Sequence, residues 1–178
     1  MNNRYIFIFG LVITGLLLHI EYRTTNINDR IDQLEDVVVR TNYRVKYTDK
    51  DVECLTRNIY YEAGTEADVG KYAVGHVTVN RVRAGYWGNT ICGVVHAPAQ
   101  FSWTLLKKLP KPDDKLYNHC REVAQTVLNG YGVKGLDRSL FYHADYIRTP
   151  NWADVNHRVR QIGAHIFYNR AKGSTLEI

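Results

Sequence analysis

The residue best placed to do acid chemistry is a glutamate at the border of an apolar helical stripe. Glu62 follows Leu55 by seven residues and Ile59 by three, so at 100° per residue its side chain projects along the edge of the stripe rather than opposite it. A carboxyl there is partly removed from water. Desolvation penalises the charged form and raises the pKa, which lets the group hold a proton near neutral pH as a general acid must. The bland alternative is a carboxylate paired with Arg57 or Arg81. Other chemistry is harder to find. His143, His157 and His165 lie in the last third, but none stands in an HExxH or comparable ligand spacing, so no metal site is expected. Cys54, Cys92 and Cys120 make an odd count, which permits at most one intramolecular disulfide and leaves one thiol. No phosphate-binding loop and no basic-aromatic cluster is present, so neither a cofactor nor a nucleic-acid partner is expected.

The elements that must position Glu62 follow from patterning. Thr48 with Asp51 forms a capping pattern ahead of Val52, Leu55, Ile59 and Ala63, predicting a helix over Asp49 to about Ala63, with Gly64 as a left-handed stop. Asp68 to Arg83 carries apolar residues on nearly every face, as a helix buried on most sides does, and Gly70 and Gly75 favour tight packing against neighbours. Asn80 and Arg81 end it with polar groups, for capping or for ligand contact. Glycines and prolines between Gly85 and Pro112 indicate loops with a short hairpin. Leu116, Cys120, Val123 and Val127 mark a helix over Asp113 to Leu128, and Val155 to Tyr168 reads as a final helix.

A chain of 178 residues, 45% of them hydrophobic, can bury one domain of this kind and little more. Its formal charge of +5 favours an anionic polymer or surface. Tyr5 to Ile20 contains no charge and is flanked by Arg4, Glu21 and Arg23, so it is expected to meet a membrane. No small-x-small cleavage site follows it, which favours an uncleaved signal anchor in residues 1–25, oriented N-in and C-out, over a cleaved signal peptide. The expected location is the inner membrane, single-pass, with the globular part in the periplasm. Ile27, Ile31, Leu34 and Val38 form an a/d-type stripe, so residues 26–47 read as a helical stalk, either dimeric or lying on the domain that occupies 48–178.

Several ordered blocks carry a family resemblance. Tyr61-Glu62-Ala63-Gly64-Thr65-Glu66, then Gly70, Ala73-Val74, Val77 and Asn80-Arg81-Val82, resemble the opening of the SleB-like cell-wall hydrolase family. Gln100-Phe101-Ser102-Trp103 resembles its aromatic block. Phe141-Tyr142-His143, Pro150-x-Trp152 and Ile162-Gly163-x-His165-x-Phe167-Tyr168 are similar to its closing motif. The family usually reads Glu-Ala-Arg-Gly-Glu where this chain has Gly64-Thr65 in place of Arg-Gly. The resemblance implies a lysozyme-like, mainly α catalytic domain, with α+β the alternative, and places the catalytic glutamate at Glu62.

It also implies peptidoglycan as substrate, cut in its glycan strand by a lytic transglycosylase or muramidase, in a phage endolysin or a host wall-remodelling enzyme. Sugar rings stack on aromatic faces while polar groups read their hydroxyls and amides. The expected substrate contacts are accordingly Tyr61, Glu66, Asn80, Gln100, Ser102, Trp103, Tyr142 and His143. Of the large aromatics, only Trp103, Tyr142 and Tyr61 are expected in the cleft, and Trp87, Phe101 and Trp152, though available to it, are expected in the core. The competing readings are a metal-dependent amidase or peptidase acting on stem peptides, and a non-catalytic wall-binding membrane protein.

Overall fold

The computed structural model describes residues 12–25, 38–41 and 44–170 and separates into two units, 1–36 and 37–178. In the first, residues 12–25 are helical, and Leu16, Leu17, Leu18 and Ile20 are exposed. No helix among the described residues is long and apolar enough to cross a membrane. Residues 5–11 of the expected anchor and 26–37 of the expected stalk lie outside the described residues.

The second unit packs four helices against small sheets. Helix α1 (Asp49–Ala63) begins with the expected capping box: the Asp51 amide donates to the Thr48 hydroxyl while the Thr48 amide donates to the Asp51 carboxylate. It ends differently from expectation. Gly64 is right-handed, at φ −55°. What excludes a side chain there is space, because a Cβ would collide with the Tyr60 carbonyl.

Helix α2 (Asp68–Ala84) is buried from Ala73 through Val82, as its all-round apolar pattern requires. A Cβ at Gly75 would lie 3.1 Å from Val127 and 3.2 Å from Ile59, so this glycine lets α2 approach α1 and α4 (Asp114–Leu128) closely. The short α3 (Ile91–Val95) is tied to α1 by a Cys54–Cys92 disulfide, with Cys120 left as a buried thiol. Asp51 reinforces the same junction by accepting from the Cys92 amide at 3.0 Å. Burial opposes the Asp51 charge, but the Cys92 amide and the Thr48 hydroxyl and amide outweigh it and hold its pKa below the usual carboxylate value.

The stalk reading fails where it can be seen. Residues 38–40 form strand β1 (Val38–Arg40), antiparallel to β2 (Tyr131–Val133), so this stretch completes the globular unit instead of leading up to it. The predicted final helix is also absent. In its place Val155–His157 forms one 3-10 turn, followed by β4 (Arg158–Ile162) and β5 (His165–Asn169), which join β3 (Ser139–Ala144) in a sheet of order β3-β5-β4. The cause is the Gly163-Ala164 pair. With Gly163 at φ +55° it closes a tight turn that sets Ile162 opposite His165, which is hairpin geometry. The segment 85–112 holds α3 and a 3-10 turn over Ser102–Leu105, with no strand.

Two apolar clusters result. The larger joins α1, α3, α4 and part of α2 with Phe101 and Trp103. The smaller sets Ala73 and Val77 of α2 against Val133, Leu136, Ile162 and Phe167. Tyr72 and Tyr142 pack against both. The architecture is therefore α+β rather than mainly α.

Candidate active site

A cleft of about 790 Å³ opens where α1, α2, the 98–102 segment and strands β3 and β5 meet, and Glu62 stands in its wall. Glu62 occupies the last turn of α1, where no basic residue offsets the negative end of the helix dipole. Its Oε2 accepts from the Tyr142 hydroxyl at 3.2 Å. Burial pushes its pKa above the usual glutamate value, and the opposing pull of the Tyr142 hydrogen bond and of charge on His165 and Arg81 does not cancel that. The group is thus held toward its protonated form. Among the residues lining the cleft, Glu62 is the sole carboxylate.

Arg81 is the nearby cation. Its side chain is almost wholly enclosed, at 5% exposure, by aromatic rings: its guanidinium lies 5.3 Å from Trp87, 5.0 Å from Phe101 and 5.8 Å from Tyr142. Nε donates to the Leu140 carbonyl at 2.8 Å, while Nη1 is buried without a hydrogen-bond partner. Burial lowers its pKa, with Tyr142 and Glu62 acting in the opposite sense. Tyr142 is pushed well above the ordinary phenol value, first by burial and then by Glu62, so it stays a neutral hydroxyl donor.

Of the expected substrate contacts, Tyr61, Gln100, Ser102, Tyr142 and His143 line the cleft. Tyr61 is fixed by its hydroxyl donating to Pro110 O at 3.0 Å and by stacking on Trp103 at 5.1 Å. His143 lies on the floor, its Nε2 3.0 Å from the Tyr168 hydroxyl. Three expected contacts are placed elsewhere. Trp103 is 5% exposed and donates through Nε1 to Asn58 Oδ1 at 2.9 Å, which makes it core that supports Tyr61 from behind. Asn80 is buried and donates to the carbonyls of Leu136 and Ser139, bracing the turn into β3. Glu66 stands outside the cleft lining, with Oε1 2.9 Å from His165 Nδ1.

The aromatic walls come largely from residues not expected there, a correction that tertiary packing imposes. Trp87, Phe101, Phe141 and Trp152 all line the cleft, and Trp152 is half exposed at its mouth, 5.6 Å from Phe141. His165, an unassigned member of the closing motif, lines it too, with its ring edge-on to Tyr142 at 5.0 Å. The alternation of β-branched and polar residues in Arg158-Val159-Arg160, before Gly163, was the available signal for the hairpin that carries it. No group of three or more His, Cys, Asp or Glu side chains suited to a metal ion occurs among the described residues.

Comparison with known proteins agrees with this fold. A spore cortex-lytic enzyme of Oceanobacillus iheyensis is 29% identical over 122 residues, covering 68% of this chain and 42% of that protein. A spore cortex-lytic enzyme of Bacillus cereus is 28% identical over 131 residues, covering 71% and 47%. The chain therefore spans less than half the length of these curated relatives. The crystal structure of the catalytic domain of the Bacillus cereus SleB protein superposes with a TM-score of 0.58 at 25% identity, covering 74% of this chain and 98% of that one. The catalytic domain of the germination-specific lytic transglycosylase SleB from Bacillus anthracis shares the fold, with a TM-score of 0.55 at 24% identity, over 69% of this chain and 97% of that one. The sequence profile described as Cell Wall Hydrolase matches residues 65–168, more than half of the chain and beginning just after Glu62. On that match the chain belongs to the cell wall hydrolase family.

Proposed function

We propose that this domain cleaves the glycan strand of peptidoglycan, with Glu62 as the proton donor to the glycosidic oxygen. The observation that carries the reading is the Glu62 carboxyl itself, buried in the wall of an aromatic-sided cleft, held by the Tyr142 hydroxyl and raised in pKa. A sugar oxygen is a poor leaving group until protonated, and a carboxylic acid kept neutral near pH 7 supplies that proton. Trp87, Phe141 and Trp152 offer flat faces for sugar rings, and Gln100 and Ser102 offer polar groups for acetamido substituents.

A lytic transglycosylase is favoured over a two-carboxylate hydrolase. Hydrolases of that kind place a second carboxylate about 5 to 9.5 Å from the first. The cleft lining holds Glu62 alone. In the transglycosylase reaction the C1–O bond breaks with its electron pair passing to the leaving oxygen, which Glu62 protonates. The 6-hydroxyl of the same muramoyl unit then bonds to C1 and passes its proton to the Glu62 carboxylate, closing a 1,6-anhydro ring and restoring the acid. Mass spectrometry of muropeptides released by the full chain from purified peptidoglycan tests this reading. 1,6-anhydro ends support it, reducing ends favour a muramidase, and free stem peptides would return the amidase to the front.

The same proposal places the domain outside the cytoplasm, held through residues 5–20. Its supports are the charge-free stretch, the exposed apolar side chains of residues 12–20 and a disulfide, a bond at home in oxidising compartments.

A further inference from the structure

A second hollow adjoins the cleft across a single ring. Tyr61 lines both, bordering the cleft on one side and a hollow of about 380 Å³ on the other. The α1 residues of this hollow are Glu53, Arg57 and Tyr61. Spaced by four, they share one face of the helix and run about 12 Å along its axis at 1.5 Å per residue. Glu62 follows Tyr61 directly, so one end of the hollow lies within a residue of the acid.

The facing wall comes from Lys111, Pro112 and the first turns of α4, with Asp114 and Tyr117. Lys111 stands between Pro110 and Pro112, and a residue before proline is confined to extended backbone. The segment is also pinned to α1 on both sides of Lys111. The Tyr61 hydroxyl donates to the Pro110 carbonyl at 3.0 Å, and the Asp113 amide donates to the Tyr60 hydroxyl at 3.0 Å. Within this frame Glu53 is already committed, because it accepts from the Tyr117 hydroxyl and pairs with Arg121. Arg57, Lys111 and Asp114 enter none of the ion pairs among the described residues. The Arg57 guanidinium is steadied instead by the Trp103 ring, 5.4 Å from its centroid, and Asn58 locks that ring in turn. The hollow thus presents two unpaired cations and one unpaired carboxylate on a fixed frame.

We propose that this hollow is the subsite for the stem peptide carried by the muramoyl unit in the cleft, with Arg57 and Lys111 receiving its carboxylates and Asp114 its free amine. The proposal rests on the glycan-cleaving reading above. The stem peptide branches from the sugar whose bond is cut, so it leaves the cleft close to the acid, where the hollow begins. Extended chain spans about 3.3 Å per residue, so three or four residues of the stem fill the length of the α1 face. Acetamido sugars are neutral and are served by aromatic faces and neutral polar groups, whereas a peptide bearing carboxylates and an amine matches a lining of both signs. A guanidinium receives a carboxylate through paired donors, and an ammonium receives one as a point charge.

Initial rates of the full chain on soluble peptide-bearing glycan strands, and on the same strands stripped of stem peptides by an amidase, test the proposal. The parent should show the higher kcat/KM on peptide-bearing strands, through KM, and the preference should shrink as salt rises. An exposed ion pair is worth about two- to fivefold, so Lys111→Gln should lower the preference about threefold and the R57Q/K111Q double variant roughly tenfold. Lys111→Glu should lower it further than Lys111→Gln. A parent without preference, or a double variant whose preference stays within twofold of the parent's, overturns the proposal and leaves the Glu62 reading standing. Equal losses on both kinds of strand overturn it as well, since the two cations would then serve the fold or the glycan. Lys111 is exposed, so should the Arg57 variants fail to fold, an unchanged preference in Lys111→Glu is enough to overturn it. If the parent releases no glycan products from either strand, it is the underlying reading that fails.

Discussion

At the scale of single residues, the raised pKa of Glu62 has consequences for both activity and stability. Its folded pKa lies above its unfolded value, so folding takes up a proton between the two. The burial cost therefore appears as pH rises through that window. Glu62→Gln should remove cleavage, a loss on the order of 10² to 10⁴ in rate. The same variant should melt higher than the parent at neutral pH, and thermal scans should show the gain vanish below the ordinary carboxylate range. A variant that retains activity would sink the assignment. Tyr142→Phe removes the hydrogen bond that favours the Glu62 anion, so the alkaline limb of the activity profile should move to higher pH. Trp103→Phe should act on stability instead. It strands the buried Asn58 Oδ1 at a cost of about 1–3 kcal/mol, visible in denaturant midpoints, with the cleft chemistry preserved.

The helices were far more legible in the sequence than the sheet. The Thr48–Asp51 box, the stripe through Leu55 and Ile59, and the all-round apolar run after Asp68 each state a period and a terminus, and α1, α2 and α4 begin and end within a residue of expectation. Glu62 was legible for the same reason, since a helix period fixes which face a residue shares. The strands give weaker signals. β4 alternates over five residues with mostly exposed side chains, so its short apolar pattern fits a helix until Gly163-Ala164 is recognised as a turn. Misreading that hairpin hid His165. The aromatic walls were misassigned for another reason: that Trp103 is core and Trp152 lines the cleft depends on tertiary packing that no local pattern carries. The disulfide belongs to this scale as well. It closes a 38-residue separation between α1 and α3, so Cys92→Ser should cost roughly 2–4 kcal/mol, read as a lower denaturant midpoint. Buried His76 adds a pH response, because burial lowers its pKa and Nδ1 accepts from the Val133 amide at 3.1 Å. Its folded pKa lies below its unfolded value, so stability should fall as pH drops through the ordinary imidazole range.

For the whole molecule, the pairing of β1 with β2 sets where a soluble fragment can start. A fragment beginning at Thr48 loses Val38–Arg40 and leaves β2 unpaired, whereas one beginning near residue 37 keeps the unit whole. The shorter fragment should show faster amide exchange over Tyr131–Val133, measurable by mass spectrometry. Full-length protein is expected in the inner-membrane fraction, with its C-terminal domain lost to protease added to spheroplasts; protection of that domain would refute the topology. A last consequence comes from the position of Tyr142, which packs on both apolar clusters while its hydroxyl reaches Glu62. The helices alone can hold the acid, but only the assembled sheet brings Tyr142 and His165 to it. A chain whose sheet has not assembled therefore carries the Glu62 carboxyl without the hydroxyl and the imidazole that stand beside it in the folded domain.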